Sequence, residues 1–321
     1  MRYSLLDRAN TVVGTSDAAA LRRVVERAGR AEALGYHRFL VAEHHGVPGI
    51  AGSAPGVLAA AVGQATSTVR VGTAGFMVPD HAPIVVAEQA AVLAALFPGR
   101  VDIGLGSSVG FTGAVRRALR QPQDAATARE GFAGDLDEVL GYLRAGGDGA
   151  YAPEVTMRPA LATAPPVYLL TGGSPRSLAL AARHGLGVIL GGPDPGSVGG
   201  GEDVTVEETV VSRTVAVAPT REAARDLVLP EVWAQVMSRS TGAFMPLRPV
   251  AELDEAELTA QQRRRVGRAL ENTVFGTAQD VSAALHALAE RTGASEILVT
   301  GGASDPAGQE RSDALLAGIF A

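Results

Sequence analysis

The sequence predicts an α/β protein, a single closed (β/α)8 barrel of the TIM type. Three observations carry that prediction. Apolar runs of strand length recur eight times, with amphipathic helical stretches between them. No linker interrupts the series, so residues 1–321 read as one domain. Polar side chains and glycines gather where the runs end, the side on which parallel α/β proteins carry their sites. A doubly wound open sheet is the competing arrangement, and eight units in unbroken order favour closure.

Strands are expected at residues 3–7, 39–43, 69–77, 101–107, 166–171, 187–190, 209–218 and 296–300. The first helix is expected to be capped by Asp17, to carry Leu21, Val24, Val25, Ala28, Ala31 and Leu34, and to stop at Gly35. Ser53-Ala54-Pro55 opens a second helix reaching Thr66, and Pro83 lies in the first turn of a third that ends at Pro98-Gly99. Further helices are expected over 129–145, 175–184, 221–237, 252–271, 278–291 and 312–320. The stretch 191–271 is longer than one unit needs, so an irregular insertion or lid is expected in the C-terminal half.

Composition narrows the functional classes. With 46% hydrophobic and 19% charged residues the chain has ample material for a large core. A net charge of -6 argues against nucleic acid or an anionic membrane as partner. The absence of cysteine excludes disulfides, thiolate catalysis and cysteine-ligated metals. Residues 1–7 are too short an apolar stretch for a signal peptide, and no apolar run is long enough to span a membrane. A cytoplasmic protein is expected.

The most informative segment is Phe39-Leu40-Val41-Ala42-Glu43-His44-His45-Gly46. An apolar run fit for a buried strand ends in a carboxylate and two imidazoles, which makes sense where the strand end opens into a pocket. Alternation along a strand sends His44 one way and Glu43 and His45 the other, so Glu43 is expected as a hydrogen-bonding partner rather than a base. The same alternation keeps His44 and His45 from chelating one ion, and no metal is expected. Other run ends are rich in small residues: Gly72-Thr73-Ala74-Gly75, Gly104-Leu105-Gly106-Ser107-Ser108, and Thr171-Gly172-Gly173-Ser174 before Pro175-Arg176-Ser177. Small residues let a flat ligand approach the backbone, and the last of these runs into a helix whose free amides, with Ser174 and Ser177, form a phosphate cradle. Neither a dinucleotide fingerprint nor a Walker loop is present.

These segments, with Pro98-Gly99-Arg100-Val101-Asp102-Ile103-Gly104-Leu105-Gly106 and the stretch 277–300, resemble the bacterial luciferase-like flavin-dependent monooxygenases over nearly the whole chain. Within them the sequence is similar to the luciferase alpha-chain group, which includes tailoring oxygenases of actinobacterial natural-product pathways. The resemblance implies a (β/α)8 barrel using reduced FMN, supplied by a separate flavin reductase, and dioxygen to oxygenate a small organic molecule such as an aromatic polyketide or an aldehyde. It implies that His44 is the active-site histidine beside the flavin, with a proton to give or take near neutrality. It implies that Ala74-Gly75 is a non-proline cis peptide shelving the isoalloxazine ring, and that Gly106, Ser107, Ser108, Thr171, Gly172, Gly173, Ser174 and Ser177 belong to the cofactor site.

Two positions depart from the luciferase pattern. Ser107 stands where an arginine would meet the flavin phosphate, and Gly173 where luciferase has a glutamate. Looser FMN binding is the expected result, with Ser107, Ser108 and Arg176 as substitutes. In relatives the helices at 55–66 and 83–96 build a dimer, so a homodimer is expected. The run Arg263-Arg264-Arg265 reads as a solvated helix face, or as part of a lid. Three rival functions stand beside the monooxygenase: a deazaflavin-dependent dehydrogenase, a non-catalytic flavin-binding protein, and a metal hydrolase.

Overall fold

The computed structural model describes residues 1–144, 152, 154–192 and 206–320. Its frame is a closed barrel of parallel strands: β1 (Arg2–Asp7), β2 (Arg38–Val41), β3 (Arg70–Met77), β4 (Val101–Gly106), β5 (Val167–Thr171), β6 (Gly187–Leu190) and β7 (Thr209–Val217). A short β8 (Val274–Gly276) and the closing strand β9 (Glu296–Thr300) complete the set. Around the barrel the order is β6-β5-β4-β3-β2-β1-β9-β7, and the β6–β7 pairing shuts it. The eight expected strands are therefore all present, and β9 lies between β1 and β7.

Ten helices surround this frame among the described residues: α1 (Asp17–Ala33), α2 (Pro55–Gln64), α3 (Pro83–Leu96), α4 (Gly113–Ala118) and α5 (Phe132–Arg144) in the first half. The second half adds α6 (Pro175–Arg183), α7 (Arg221–Thr241), α8 (Ala260–Glu271), α9 (Ala278–Thr292) and α10 (Pro306–Ala317). Local chemistry sets their ends. Ser16, not Asp17, caps α1, its hydroxyl accepting from Ala19 N at 3.2 Å; Asp17 sits in the first turn, where a carboxylate suits the helix dipole. The chain leaves α1 through Gly35 at φ +80°, a conformation natural to glycine.

Two apolar layers hold the barrel. The larger lies between strands and helices, around Phe39, Val71, Phe76, Ile103, Leu105 and Leu136. The smaller fills the barrel itself with Leu6, Leu40, Ala42, Ala74, Ile189, Val210 and Leu298. Below it, at the amino ends of the strands, the barrel is plugged by charge. Arg38 pairs with Glu296 at 2.7 Å and with Asp102 at 3.2 Å, and Ser4 donates to Glu296 at 2.5 Å. Above it the barrel opens.

Several expected boundaries are corrected. β2 stops at Val41, so Glu43, His44 and His45 lie just past the ladder; His44 N donates instead to Gly52 O at 2.9 Å. The helix expected over 252–271 starts at Ala260, because a capping box of Thr259 and Gln262 fixes its first turn; single 3-10 turns at Val250–Glu252 and Glu255–Glu257 precede it. The last helix starts at Pro306 rather than 312, proline being suited to the first helical position. β8 and α4 were not expected; β8 extends the sheet beside the far end of β7, from Val215 to Val217. Of the irregular stretch expected over 191–271, the described residues beyond α7 hold the two 3-10 turns and α8, while residues 193–205 and Ala145 lie outside the described residues.

Candidate active site

A cavity of about 680 Å³ opens over the carboxyl ends of the strands, its floor formed by Leu6, Ala74, Leu170 and Ile189. Ala74, Gly106, Ser107, Ser108, Thr171, Gly172, Ser174 and Ser177 all line it, so the structure brings together most of the site residues expected from sequence. His44, Gly75 and Gly173 are not among its lining, and each has a different reason.

Gly75 makes room for the neighbouring backbone. A Cβ there would fall 2.3 Å from Gly104 O, and one on Gly104 would fall 2.6 Å from Thr73 O. The glycines therefore allow β3 and β4 to approach closely, and Ala74 presents its side to the cavity. The Ala74-Gly75 peptide is cis, as the resemblance implied. Gly173 forms the turn between β5 and α6 at φ +86°, its N–H donating to Thr171 Oγ1 at 3.0 Å.

At one side of the mouth lies a hydroxyl cluster. Ser177 Oγ is 2.5 Å from Thr171 Oγ1 and 2.7 Å from Ser174 Oγ, and Ser174 caps α6 by accepting from Ser177 N. Three hydroxyls over the free amides of a helix start make an anion cradle. Two cations also line the cavity, Arg176 from the first turn of α6 and Arg129 from the turn before α5. Among the described residues neither guanidinium has a carboxylate partner. Arg129 was missed from the sequence, where no motif marks it; its approach to the cavity is a product of tertiary folding.

His44 comes from just past the end of β2, across the ring of strands from β6. It follows Leu40 and Ala42, both inside the barrel, at the same alternating spacing. Its Nδ1 is buried and has no hydrogen-bond partner, a condition that costs on the order of 1–3 kcal/mol unless a ligand or water satisfies it. Burial, reinforced by the charge of Arg8, pushes its pKa down to about 4. A pKa that low favours the neutral imidazole at pH 7.

Glu43 is a hydrogen-bonding partner of His45 and of a residue the sequence did not suggest. Glu43 Oε1 lies 2.7 Å from His45 Nε2 and 2.6 Å from His81 Nε2, while Oε2 accepts from Met77 N at 2.7 Å. Burial pulls the Glu43 carboxyl up, but the two histidines outweigh it and hold it low; the Glu43 hydrogen bond in turn raises His45. The three donor atoms lie within 4.8 Å of one another, a grouping of the kind that binds metals. The expectation of no metal weighed only His44 and His45. Here Glu43 is fully engaged by hydrogen bonds that tie the end of β2 to the end of β3.

A parallel barrel with a hydroxyl cluster at one helix start beside its cavity and a buried imidazole past the end of β2 has the layout of an enzyme site. Residues 1–296 match the family model described as luciferase-like monooxygenase. The Bacillus subtilis protein YvbT, itself uncharacterised, is 30% identical over 99% of this chain and 96% of its own length. A luciferase-like monooxygenase of Escherichia coli K12 is 38% identical over 57% of this chain, a match spanning about half (53%) of that relative. Among solved structures, apo-MsnO8 superposes with a TM-score of 0.82 at 27% identity, covering 99% of this chain and 98% of that one. The chain belongs to the luciferase-like monooxygenase family, and so to the oxidoreductases.

Proposed function

We propose that the protein binds reduced FMN, supplied by a separate flavin reductase, and uses dioxygen to oxygenate a small organic substrate. The observation that carries this reading is the cradle of Thr171, Ser174 and Ser177, with Arg129 and Arg176 beside it, on the rim of a cavity whose floor is apolar. A phosphate would be held by these hydroxyls, the α6 amides and the two guanidiniums, which stand in for the arginine absent at Ser107. A ring system would lie across Ala74 toward Leu6 and Ile189, which keep water from its face. Bound flavin would supply the two-electron activation of dioxygen. His44, neutral at pH 7, would accept a proton or hydrogen bond at Nδ1.

A homodimer is part of this reading. Val57 on α2 and Val85, Val92 and Leu96 on α3 are exposed by 71%, 40%, 45% and 59%, and the three on α3 share one helical face. We assign that apolar face to a second copy of the chain.

Anaerobic titration with reduced FMN, followed by rapid mixing with oxygenated buffer, tests the function. The expected result is saturable binding and a return of oxidised-flavin absorbance distinct from that of free flavin, with the difference lost in His44→Ala. Preferential binding of a deazaflavin, with turnover indifferent to oxygen, would replace this reading by a dehydrogenase. Binding without any change in the oxygen reaction would leave a flavin carrier.

A further inference from the structure

We propose that Glu43, His45 and His81, with Asp80 as the fourth donor, form a structural site for a divalent transition ion of the zinc type between the ends of β2 and β3. The proposal is independent of the flavin reading.

The donors converge on one point. Glu43 Oε1 is 2.7 Å from His45 Nε2 and 2.6 Å from His81 Nε2, so both imidazoles address a single carboxylate oxygen. The three atoms lie within 4.8 Å of one another. A tetrahedral ion with bonds of about 2.0–2.1 Å sets its ligands roughly 3.3 Å apart, so the two contacts need open by under about 1 Å to admit it. Glu43 is the fixed member, with its side chain fully buried and its Oε2 accepting from Met77 N. His45 and His81 are 26% and 20% exposed, and their outer edges give the ion a route from solvent.

Asp80 is the independent sign of a ligand. It ends the 3-10 turn Val78–Asp80 that follows β3, and its side chain is 5% exposed. Its Oδ1 accepts from Gln121 Nε2, which fixes the direction of the carboxyl group. Its Oδ2 has no hydrogen-bond donor among the described residues and lies 4.0 Å from His45 Nε2. An oxygen so placed, beyond hydrogen-bond reach of the imidazole, is in position to bond a cation set between them.

Charge gives the same answer. Glu43 and Asp80 both face His45, and among the described residues neither carboxylate is paired with an arginine. Two like charges in a poorly solvated space are costly unless cations accompany them. One dication balances both and leaves His45 and His81 as the neutral imidazoles that ligate metals. Two nitrogens and two oxygens suit zinc better than magnesium or calcium, which take oxygen ligands, and four protein ligands make the closed set of a structural ion.

The role of such an ion is to clamp. Glu43 and His45 flank His44 in the chain, so one ion bound to both fixes the backbone on either side of that residue. Asp80 and His81 tie the same ion to the chain beyond β3. Through Gln121, whose Oε1 accepts from Gly110 N at 2.9 Å, the clamp reaches the segment after β4.

The test starts from protein stripped with EDTA and dialysed, then titrated with zinc chloride by calorimetry and with cobalt(II) chloride by visible absorption. One zinc per chain should bind and raise Tm, and cobalt should give the intense bands of a four-coordinate site. Glu43→Gln, His45→Gln and His81→Gln should each weaken zinc by about a hundredfold, since loss of an outer-shell partner alone costs about 10–100-fold. Asp80→Ala should weaken it by about tenfold and move the cobalt bands toward higher coordination as water replaces the carboxylate. His286→Gln, on α9, should change nothing. Zinc should also slow amide exchange over residues 42–46 and 77–81 and leave α9 as it was. No zinc binding by the unaltered chain, an affinity unmoved by His81→Gln, or the weak bands of six-coordinate cobalt would each overturn the proposal. Binding without slower exchange in those two segments would overturn the clamp. Should Glu43→Gln fail to fold by circular dichroism, the partly exposed His45 and His81 variants decide.

Discussion

Arg38 Nη2 and Glu296 Oε2 lie 2.7 Å apart across the closed end of the barrel, joining β2 to β9 over the intervening β1. Both side chains are almost entirely excluded from solvent, at 2% and 0% exposure. Removing one partner strands the other charge in the interior. Arg38→Met is expected to destabilise the protein by about 3–5 kcal/mol in urea unfolding. The double change Arg38→Met with Glu296→Leu should recover much of that loss. A single variant as stable as the unaltered chain would show that the pair does not hold the barrel shut.

His44 gives the protein a pH dependence of known sign. Its folded pKa of about 4 is below the ordinary 6.5, so the unfolded chain binds more proton between those values. The stability it contributes is fully present above about pH 6.5 and is lost as pH falls toward about 4, amounting to about 3 kcal/mol. His45, raised by Glu43, acts in the other direction: its contribution is present below the ordinary histidine pKa and fades as pH rises through its folded value. In His44→Gln the decline in unfolding free energy between about pH 6.5 and 4 should flatten. Unchanged acid sensitivity in that variant would place the titration elsewhere.

The anion cradle predicts a difference between two flavins. Ser177→Ala removes a hydroxyl in contact with both Thr171 and Ser174, and Arg129→Met removes a cation from the cavity wall. Each should weaken FMN by roughly tenfold and leave riboflavin, which lacks the phosphate, little changed. Ser107→Arg should strengthen FMN selectively by a similar factor. Parallel effects on both flavins in fluorescence titration would mean that the phosphate sits elsewhere.

The exposed face of α3 makes a prediction about assembly. Val92→Glu with Leu96→Glu places two charges on an apolar surface that the proposed second copy would cover. Sedimentation should show a dimer for the unaltered chain and a monomer for the double variant, with secondary structure retained. An unaltered chain that sediments as a monomer would dispose of this interface.

What the sequence disclosed depended on how local each signal is. The span of α1 was readable from apolar spacing and from Gly35, since both act within a few residues. The strands followed from apolar runs, but the end of β2 did not, because Ala42 stays buried after the ladder has been left. His81 was invisible because its link to Glu43 spans 38 positions and exists only once β3 lies beside β2. β8 is three residues long and meaningful only against the overhang of β7. Gly75 and Gly104 were read as room for a ligand, and each also leaves room for the other's strand. A glycine in a sequence announces a close approach without naming what approaches. The hydroxyls of 171–177 were legible because they sit within one turn of a helix start.

The placement of β9 has a consequence for how the chain is made. β1 precedes every other strand of the barrel in the chain, and one of its two pairing edges belongs to a strand that begins at Glu296. At ordinary rates of synthesis that partner arrives on the order of 15–60 s later. During this interval the growing half-barrel carries a bare edge from Arg2 to Asp7, open to wrong pairing with other nascent chains. The charged residues at both ends of β1 oppose such pairing, and a chain cut short before 296 would keep that edge open permanently.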